Sequence, residues 1–375
     1  MALVGAQGQA LTPGQDGSSL NEYERTMEGC RGPIVNYEDL QDHLRVNFQV
    51  NDEADQAGRP KFSDCVWGHS GIGKTSIVKR FSNEKITWRG KEYPGYVVKD
   101  VPIAQFEEMG DLHGIPMDCV FMFREDEGTS RIEQWVPQKD ETIKAFREDG
   151  WKVDPDIRPR TLMAPPDWVP LEPGPSILLL DDWNRASLRI IKGIMQLLQN
   201  YGMVSWKLPA GCNIVLTGNP DEQDYFVTSI DQAIVTRIRH ITLQEDAKEW
   251  AVWATAQELD PRGINWVLTN PESMLGKEMT NPRTLSQFFH VLKKYPDVMA
   301  AQDAVQRHAH SLLDPETVAS IIVFMTRDVE DIIEPEDVLD GKQGVMKRIK
   351  DLMDRKEPRT DILGITCERL YAFMI

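Results

Sequence analysis

Gly68-His69-Ser70-Gly71-Ile72-Gly73-Lys74-Thr75-Ser76 is the stretch that decides how this chain folds. It has the form G-x-x-x-x-G-K-T, the phosphate-binding P-loop. Its glycines let the backbone turn tightly, so that successive N–H groups face inward toward phosphate oxygens. Lys74 places a point charge by the β- and γ-phosphates, and the Thr75 hydroxyl is a ligand for Mg²⁺. The helix that starts here adds the positive end of its dipole. The neighbours fit. Residues 62–67 read as a short strand running into the loop, and 75–81 as a helix with Ile77, Val78 and Phe81 on one face. All nine residues from Gly68 through His69, Ser70, Gly71, Ile72, Gly73, Lys74 and Thr75 to Ser76 are therefore expected to bind nucleotide, with ATP and Mg²⁺ as cofactors.

Downstream, Pro175-Ser176-Ile177-Leu178-Leu179-Leu180 is a continuous apolar run, as expected of a strand buried on both faces. Residues 186–200 read as a helix with Leu188, Ile191, Ile194, Met195 and Leu198 on one face. Asn213-Ile214-Val215-Leu216-Thr217 is the next strand. Strands alternating with helices predict an α/β fold with a parallel sheet and ligands at the carboxyl ends of its strands. From about Glu245 the pattern turns helical. Residues 246–259 carry Trp250 and Trp253, 284–295 carry Leu285, Phe288, Phe289 and Leu292, and Asp314-Pro315 starts a further helix. Upstream, Asn36 is placed to cap a helix carrying Leu40, Leu44 and Phe48. Residues 120–170 read as irregular, and a stretch of that length is functional or an insertion.

Composition sets the limits. The chain has 375 residues, room for two or three domains or subdomains, and 41% apolar content. No apolar run is long enough to cross a bilayer. Residues 1–19 lack a basic start followed by an apolar block, and read as a flexible tail rather than a secretory signal. Cys30, Cys65, Cys119, Cys212 and Cys367 are scattered and odd in number, which fits a reducing cytoplasm better than a disulfide framework. A net charge of −17 disfavours nonspecific binding to nucleic acid or anionic lipid.

Ile177-Leu178-Leu179-Leu180-Asp181-Asp182 is a buried strand ending in two carboxylates, the form of a Walker B motif. Asp181 is the expected Mg²⁺ residue, and Asp182 the group that orients or deprotonates the attacking water. Alone, such a pair could equally be solvated loop carboxylates. Its place after a P-loop favours the catalytic reading. Thr217-Gly218-Asn219-Pro220 ends the next strand with an amide that can hold a water near the γ-phosphate. His308 and His310 are two apart on a helix, do not share a face, and read as structural.

The order P-loop, LLLDDWNRA (178–186), TGNP (217–220), DQAIVTRIR (231–239) and NPRT (281–284) resembles an AAA+ ATPase, and within it the MoxR-like group. Asp111-Leu112-His113-Gly114-Ile115-Pro116 matches the D-L-x-G-x-P element between that group's Walker motifs. The likeness covers about 36–340. It implies Asn219 as sensor 1, Arg283 as sensor 2, and Arg237 as the arginine finger acting on a neighbouring subunit, with Arg239 as the fallback. The chain departs from the pattern at Asp182, where the group usually has Glu, at Trp183, where a smaller aliphatic is usual, and over 119–163, which is longer than expected.

The resemblance further implies an N-terminal tail over 1–35, a nucleotide-binding domain over 36–242 with an insertion near 119–163, a helical lid over 243–300 and a helical extension over 301–375. It implies a cytoplasmic hydrolase working as a homo-oligomeric, hexameric ring. Its activity would be chaperone-like remodelling or activation of a protein client, such as one with a von Willebrand A domain. Two rivals stand beside this reading. One is a nucleic-acid-directed motor or restriction-complex subunit, which the charge disfavours. The other is an ATP-binding scaffold with weak hydrolysis, which the shorter Asp182 favours.

Overall fold

Alternate residues of the buried strands go to opposite sides of one sheet, and this builds the body of the molecule. The computed structural model describes residues 31–125, 131–220, 232–274, 278–327, 333, 335–354, 366–367 and 370. The strands are β1 (Ile34–Val35), β2 (Ser63–Trp67), β3 (Ile86–Trp88), β4 (Lys91–Tyr93), β5 (Val97–Pro102), β6 (Ile115–Glu125), β7 (Arg131–Pro137), β8 (Lys152–Val153), β9 (Arg160–Ala164), β10 (Ser176–Asp181), β11 (Cys212–Gly218) and β12 (Ile238–Leu243). Six of them form a parallel sheet in the order β1-β12-β2-β11-β10-β5.

On one face, Val66, Ile177, Leu179, Val215 and Ile241 pack against Leu40, Leu44 and Phe48 of the helix Tyr37–Gln56 and Ile77 and Val78 of the helix Lys74–Arg80. On the other, Cys65, Trp67, Leu178, Leu180, Ile214 and Leu216 meet Ile190, Ile191, Ile194, Leu197 and Leu198 of the helix Leu188–Asn200. This is an α/β P-loop fold: a parallel sheet flanked by helices and followed by an all-helical region. Asn36 caps its helix as the sequence suggests, accepting from the Asp39 N–H at 2.8 Å.

β11 lies between the P-loop strand β2 and the carboxylate strand β10. The residue that follows β11 is therefore held between Lys74 and the two aspartates. No helix among the described residues is long and apolar enough to cross a membrane.

Three readings of the sequence are corrected. The sheet begins before residue 36, because Ile34 and Val35 pair with Thr242 and Leu243 along its edge. Residues 120–170 are not irregular: β7, β8 and β9 all pair antiparallel with β6. One face of this small sheet buries Val120, Met122 and Val136 with Trp151, against Ile143 and Phe146 of the helix Asp140–Glu148. The other face carries Phe121 edge-on to Trp135 at 5.1 Å, with the Arg131 guanidinium 4.1 Å from the Phe123 ring centre. Finally, a boundary at residue 300 would cut one core in two. Trp250, Trp266, Leu285, Phe288 and Phe289 share a cluster with Val305, Ala309, Val318, Ile321 and Met325, so the helices Gln302–His310 and Pro315–Arg327 pack into the same helical body. Residues 1–30, Asp231 and, within the acidic stretch 328–340, residues 328–332 and 334 lie outside the described residues.

Candidate functional site

The P-loop turns on glycines that no other residue could replace without strain. Gly71 and Gly73 sit at φ 86° and 99°, in the left-handed region. A Cβ on Gly71 would lie 2.4 Å from Asn281 Oδ1 and 3.3 Å from the Arg283 Cβ, so the start of the helix Pro282–Leu292 packs directly on the loop. Ile72 is buried beneath it and anchors the loop to the core.

Lys74 is buried, and its ammonium donates to the Gly68 and His69 carbonyls at 2.7 and 2.8 Å and to Asn219 Oδ1 at 3.1 Å. The loop thus holds its lysine at the cleft floor through main-chain oxygens. The Thr75 hydroxyl donates to Asp181 Oδ1 at 2.7 Å, and the buried Thr217 hydroxyl donates to the same oxygen at 2.5 Å. The Thr217 oxygen also accepts from the Asp182 N–H at 3.1 Å.

Asp182 follows β10 in a left-handed conformation, φ 50° and ψ 38°, which Asp tolerates better than most residues. Its Oδ1 accepts from Asn219 Nδ2 at 2.7 Å, and Arg185 stands 4.0 Å from Oδ2. Trp183, the unexpectedly large residue, has a packing reason: it is buried, meets Trp67 edge-on at 6.2 Å and donates to Cys65 Sγ at 3.3 Å.

These groups line a cleft of about 960 Å³ between the sheet's carboxyl edge and the helical region. Ser70, Gly71, Ile72, Gly73, Lys74, Thr75 and Ser76 lie on one wall, Asp181, Asp182 and Asn219 at the end, and Trp253, Arg283 and His290 on the helical wall. Gly68 and His69 contribute their carbonyls to Lys74 rather than lining the cleft. Tyr37 joins the two walls. Its N–H donates to Glu249 Oε2 at 2.9 Å, and its hydroxyl donates to the Ile72 carbonyl at 2.5 Å. Burial, reinforced by Glu245 and Glu249, raises the Tyr37 pKa and keeps it a donor. Burial also pushes the Glu245 carboxyl up to about 7, against the opposing pull of a backbone hydrogen bond and Lys74.

The residues present fit a nucleotide and a magnesium ion. A buried lysine at the mouth of a glycine-built turn suits phosphate, and a Thr hydroxyl beside one carboxylate is the sparse oxygen set that Mg²⁺ takes when phosphate and water complete its shell. Among the described residues no group of three His, Cys, Asp or Glu is placed to hold a metal on its own.

Arg237 is not brought to this cleft. It follows the short helix Gln232–Val235, and its guanidinium donates to the Ala233 carbonyl. Arg239 is committed elsewhere: its Nε lies 3.0 Å from Oδ1 of the buried Asp64, its Nη1 donates to Asn47 Oδ1 at 2.8 Å, and its charge sits 5.2 Å from the Phe62 ring centre. Arg239 thus has its partners within its own chain. His308 meets the Tyr295 hydroxyl at 3.2 Å, in keeping with a structural role.

One residue of the site was quoted within LLLDDWNRA but given no role there. Asn184 is fully buried and makes two hydrogen bonds to the Asn219 main chain.

No family model matches the chain, and no curated protein matches it. Some solved structures are distantly similar to it. A point mutant of Thermotoga maritima RuvB is 12% identical over 86% of this chain and 85% of its own, with a TM-score of 0.37. The RuvB Holliday junction branch migration motor of the same organism is 10% identical over 87% and 86%, with a TM-score of 0.34. A closed-state reconstruction of Hsp104 with ATPyS and FITC casein is 13% identical over 64% of this chain, which spans 39% of the Hsp104 chain, with a TM-score of 0.33. Likenesses this distant carry nothing about the chemistry. The fold rests on the chain's own strand order.

Proposed function

We propose that this chain is an AAA+ ATPase of the MoxR-like type, which works as a hexameric ring and couples ATP hydrolysis to remodelling or activating a protein client. One observation carries the reading: Asn219 lies between Lys74 and Asp182, with its Oδ1 on the first and its Nδ2 on the second. A P-loop lysine beside a strand-end carboxylate and an amide brings together a phosphate-binding charge and groups able to orient a water, as phosphoanhydride hydrolysis requires. ATP supplies the bond that is broken. Lys74 and the loop N–H groups bind its phosphates, Thr75 and Asp181 hold Mg²⁺, Asp182 orients water, and Arg283 reaches the cleft from the helical wall.

The nucleotide domain would run from the first strand to the end of β12, with the helical body as its lid. The ring and the role of Arg237 belong to this proposal. Arg237 lies outside its own cleft, as a residue serving a neighbour's nucleotide would. The client, in the pattern of MoxR-like proteins a von Willebrand A domain protein, is proposed by resemblance. The net charge of −17 favours a protein over a nucleic acid, and the scattered, odd-numbered cysteines suit a reducing cytoplasm.

The test is Lys74→Ala. Losing a charge-assisted phosphate contact should weaken ATP binding about ten- to hundredfold by calorimetry and abolish turnover. Unchanged affinity would overturn the assignment.

A further inference from the structure

We infer that Asn184 is a positioning residue: it fixes the main chain at Asn219 so that the Asn219 amide meets Lys74 and Asp182 together. The inference rests on the hydrolytic reading above and adds to it a residue that does not line the cleft.

The need for Asn184 follows from where β11 ends. Its ladder with β10 stops at Leu216, opposite Leu180, and its ladder with β2 stops at Gly218, opposite Trp67. Asn219 is the next residue, is 1% exposed, and has no strand on either side to take its N–H and C=O. A buried main-chain group without a partner is costly. Asn184 supplies both partners at once. Its Nδ2 donates to the Asn219 carbonyl at 2.8 Å, and its Oδ1 accepts from the Asn219 N–H at 3.2 Å. One side-chain amide thus does the work of an extra strand.

Satisfying a buried peptide would be reason enough for an asparagine. What lies on the other side of that peptide gives it a further role. The Asn219 amide has one chemically permitted orientation, with its oxygen toward the Lys74 ammonium and its nitrogen toward the Asp182 carboxylate. Asn184 itself sits on the turn Trp183–Arg185 that follows Asp182, and Trp183 pins that turn to Cys65 and Trp67. Asp182 and Asn219, which come from different strands, are therefore clamped as one unit. A displacement of about 1 Å at a reacting group can cost on the order of 10²-fold in rate.

The experiment is a double-mutant cycle on the full chain, reading kcat, KM and ADP affinity. Asn184→Asp is the main variant, because it keeps the size and the acceptor and turns the donor to the Asn219 carbonyl into an oxygen that repels it. Asn184→Ala, which removes both bonds, is the second. Both should lower kcat by roughly 10- to 100-fold and leave ADP affinity within about threefold, since the loop itself is untouched. In an Asn219→Ala background, where the amide to be positioned is gone, Asn184→Asp should cost nothing more. An equal loss in both backgrounds would make Asn184 merely structural, and no loss in the parental chain would remove the role altogether. Either result overturns the inference while leaving the hydrolytic reading intact. Parental turnover in Asn219→Ala itself would overturn the hydrolytic reading and the inference with it.

Discussion

Arg239→Ala should destabilise the fold in a pH-dependent way and leave the chemistry alone. Asp64 is 1% exposed, and burial pushes its carboxyl up from 3.8 to about 6, even though Arg239 and Asn47 pull it down. A folded-state value above the unfolded one means that the native form holds the extra proton between pH 3.8 and 6, so this group's contribution to stability falls as pH rises through that window. Without Arg239 the folded-state value climbs further, and the loss of stability continues to higher pH.

Each unit of pH between the old and new midpoints adds about 1.36 kcal/mol to the cost of the substitution. From pH 6 to pH 8 that is at most about 2.7 kcal/mol. The lost bond to Asn47 and the lost contact over Phe62 add about 1 kcal/mol at any pH. The total at pH 8 is then about 4 kcal/mol, within the range for breaking a buried ion pair, and about 1 kcal/mol remains at pH 5.5. Urea unfolding at the two pH values, followed by fluorescence, measures the difference. Equal losses at both would refute the account of Asp64. A collapse of turnover with stability unchanged would point to Arg239 as the finger.

Asp181→Ala and Asp182→Ala should part company: the first weakens Mg²⁺-dependent binding, while the second spares binding and lowers turnover, as calorimetry and phosphate release will distinguish. Asp182→Glu should raise turnover if the shorter side chain limits the reach to water, and an unchanged rate would mean that it does not. Arg237→Ala should leave ATP binding nearly intact and lower turnover by roughly 10³-fold. Mixed rings with Lys74→Ala subunits should then recover some activity, and mixtures that assemble yet stay inactive would exclude action across an interface. Gly71→Ala should reduce nucleotide affinity at least tenfold, about 1.4 kcal/mol, because the new Cβ would press on Asn281 at 2.4 Å and force the helical wall off the loop. Unaltered affinity by calorimetry would show that the contact yields freely.

The nucleotide-binding half of the site was legible because its chemistry is local. Glycine spacing, the lysine and the flanking strand and helix all lie within about twenty residues. The carboxylates and Asn219 could be found because each ends a strand too apolar to be anything but buried. Asn184 was hidden because its partner is a main chain 35 residues away, and no pattern in a sequence marks which peptide lacks a ladder. The strands of 115–164 were obscured for a different reason. Phe121 and Trp135 lie on the face opposite Val120 and Val136, so both faces carry large side chains and the usual apolar–polar alternation is lost. The helical body is longer than the bounds taken from the resemblance, because the helices beyond residue 300 return to the same core.

The small antiparallel sheet departs from the main body and comes back at a single rung, with Ile115 directly opposite Ala164. Its interior of Val120, Met122, Val136 and Trp151 shares no member with the other buried clusters among the described residues. In genetic terms it is a cassette. Between two neighbouring ends, a segment can be lengthened, shortened or exchanged while Asp181 and Lys74 keep their places.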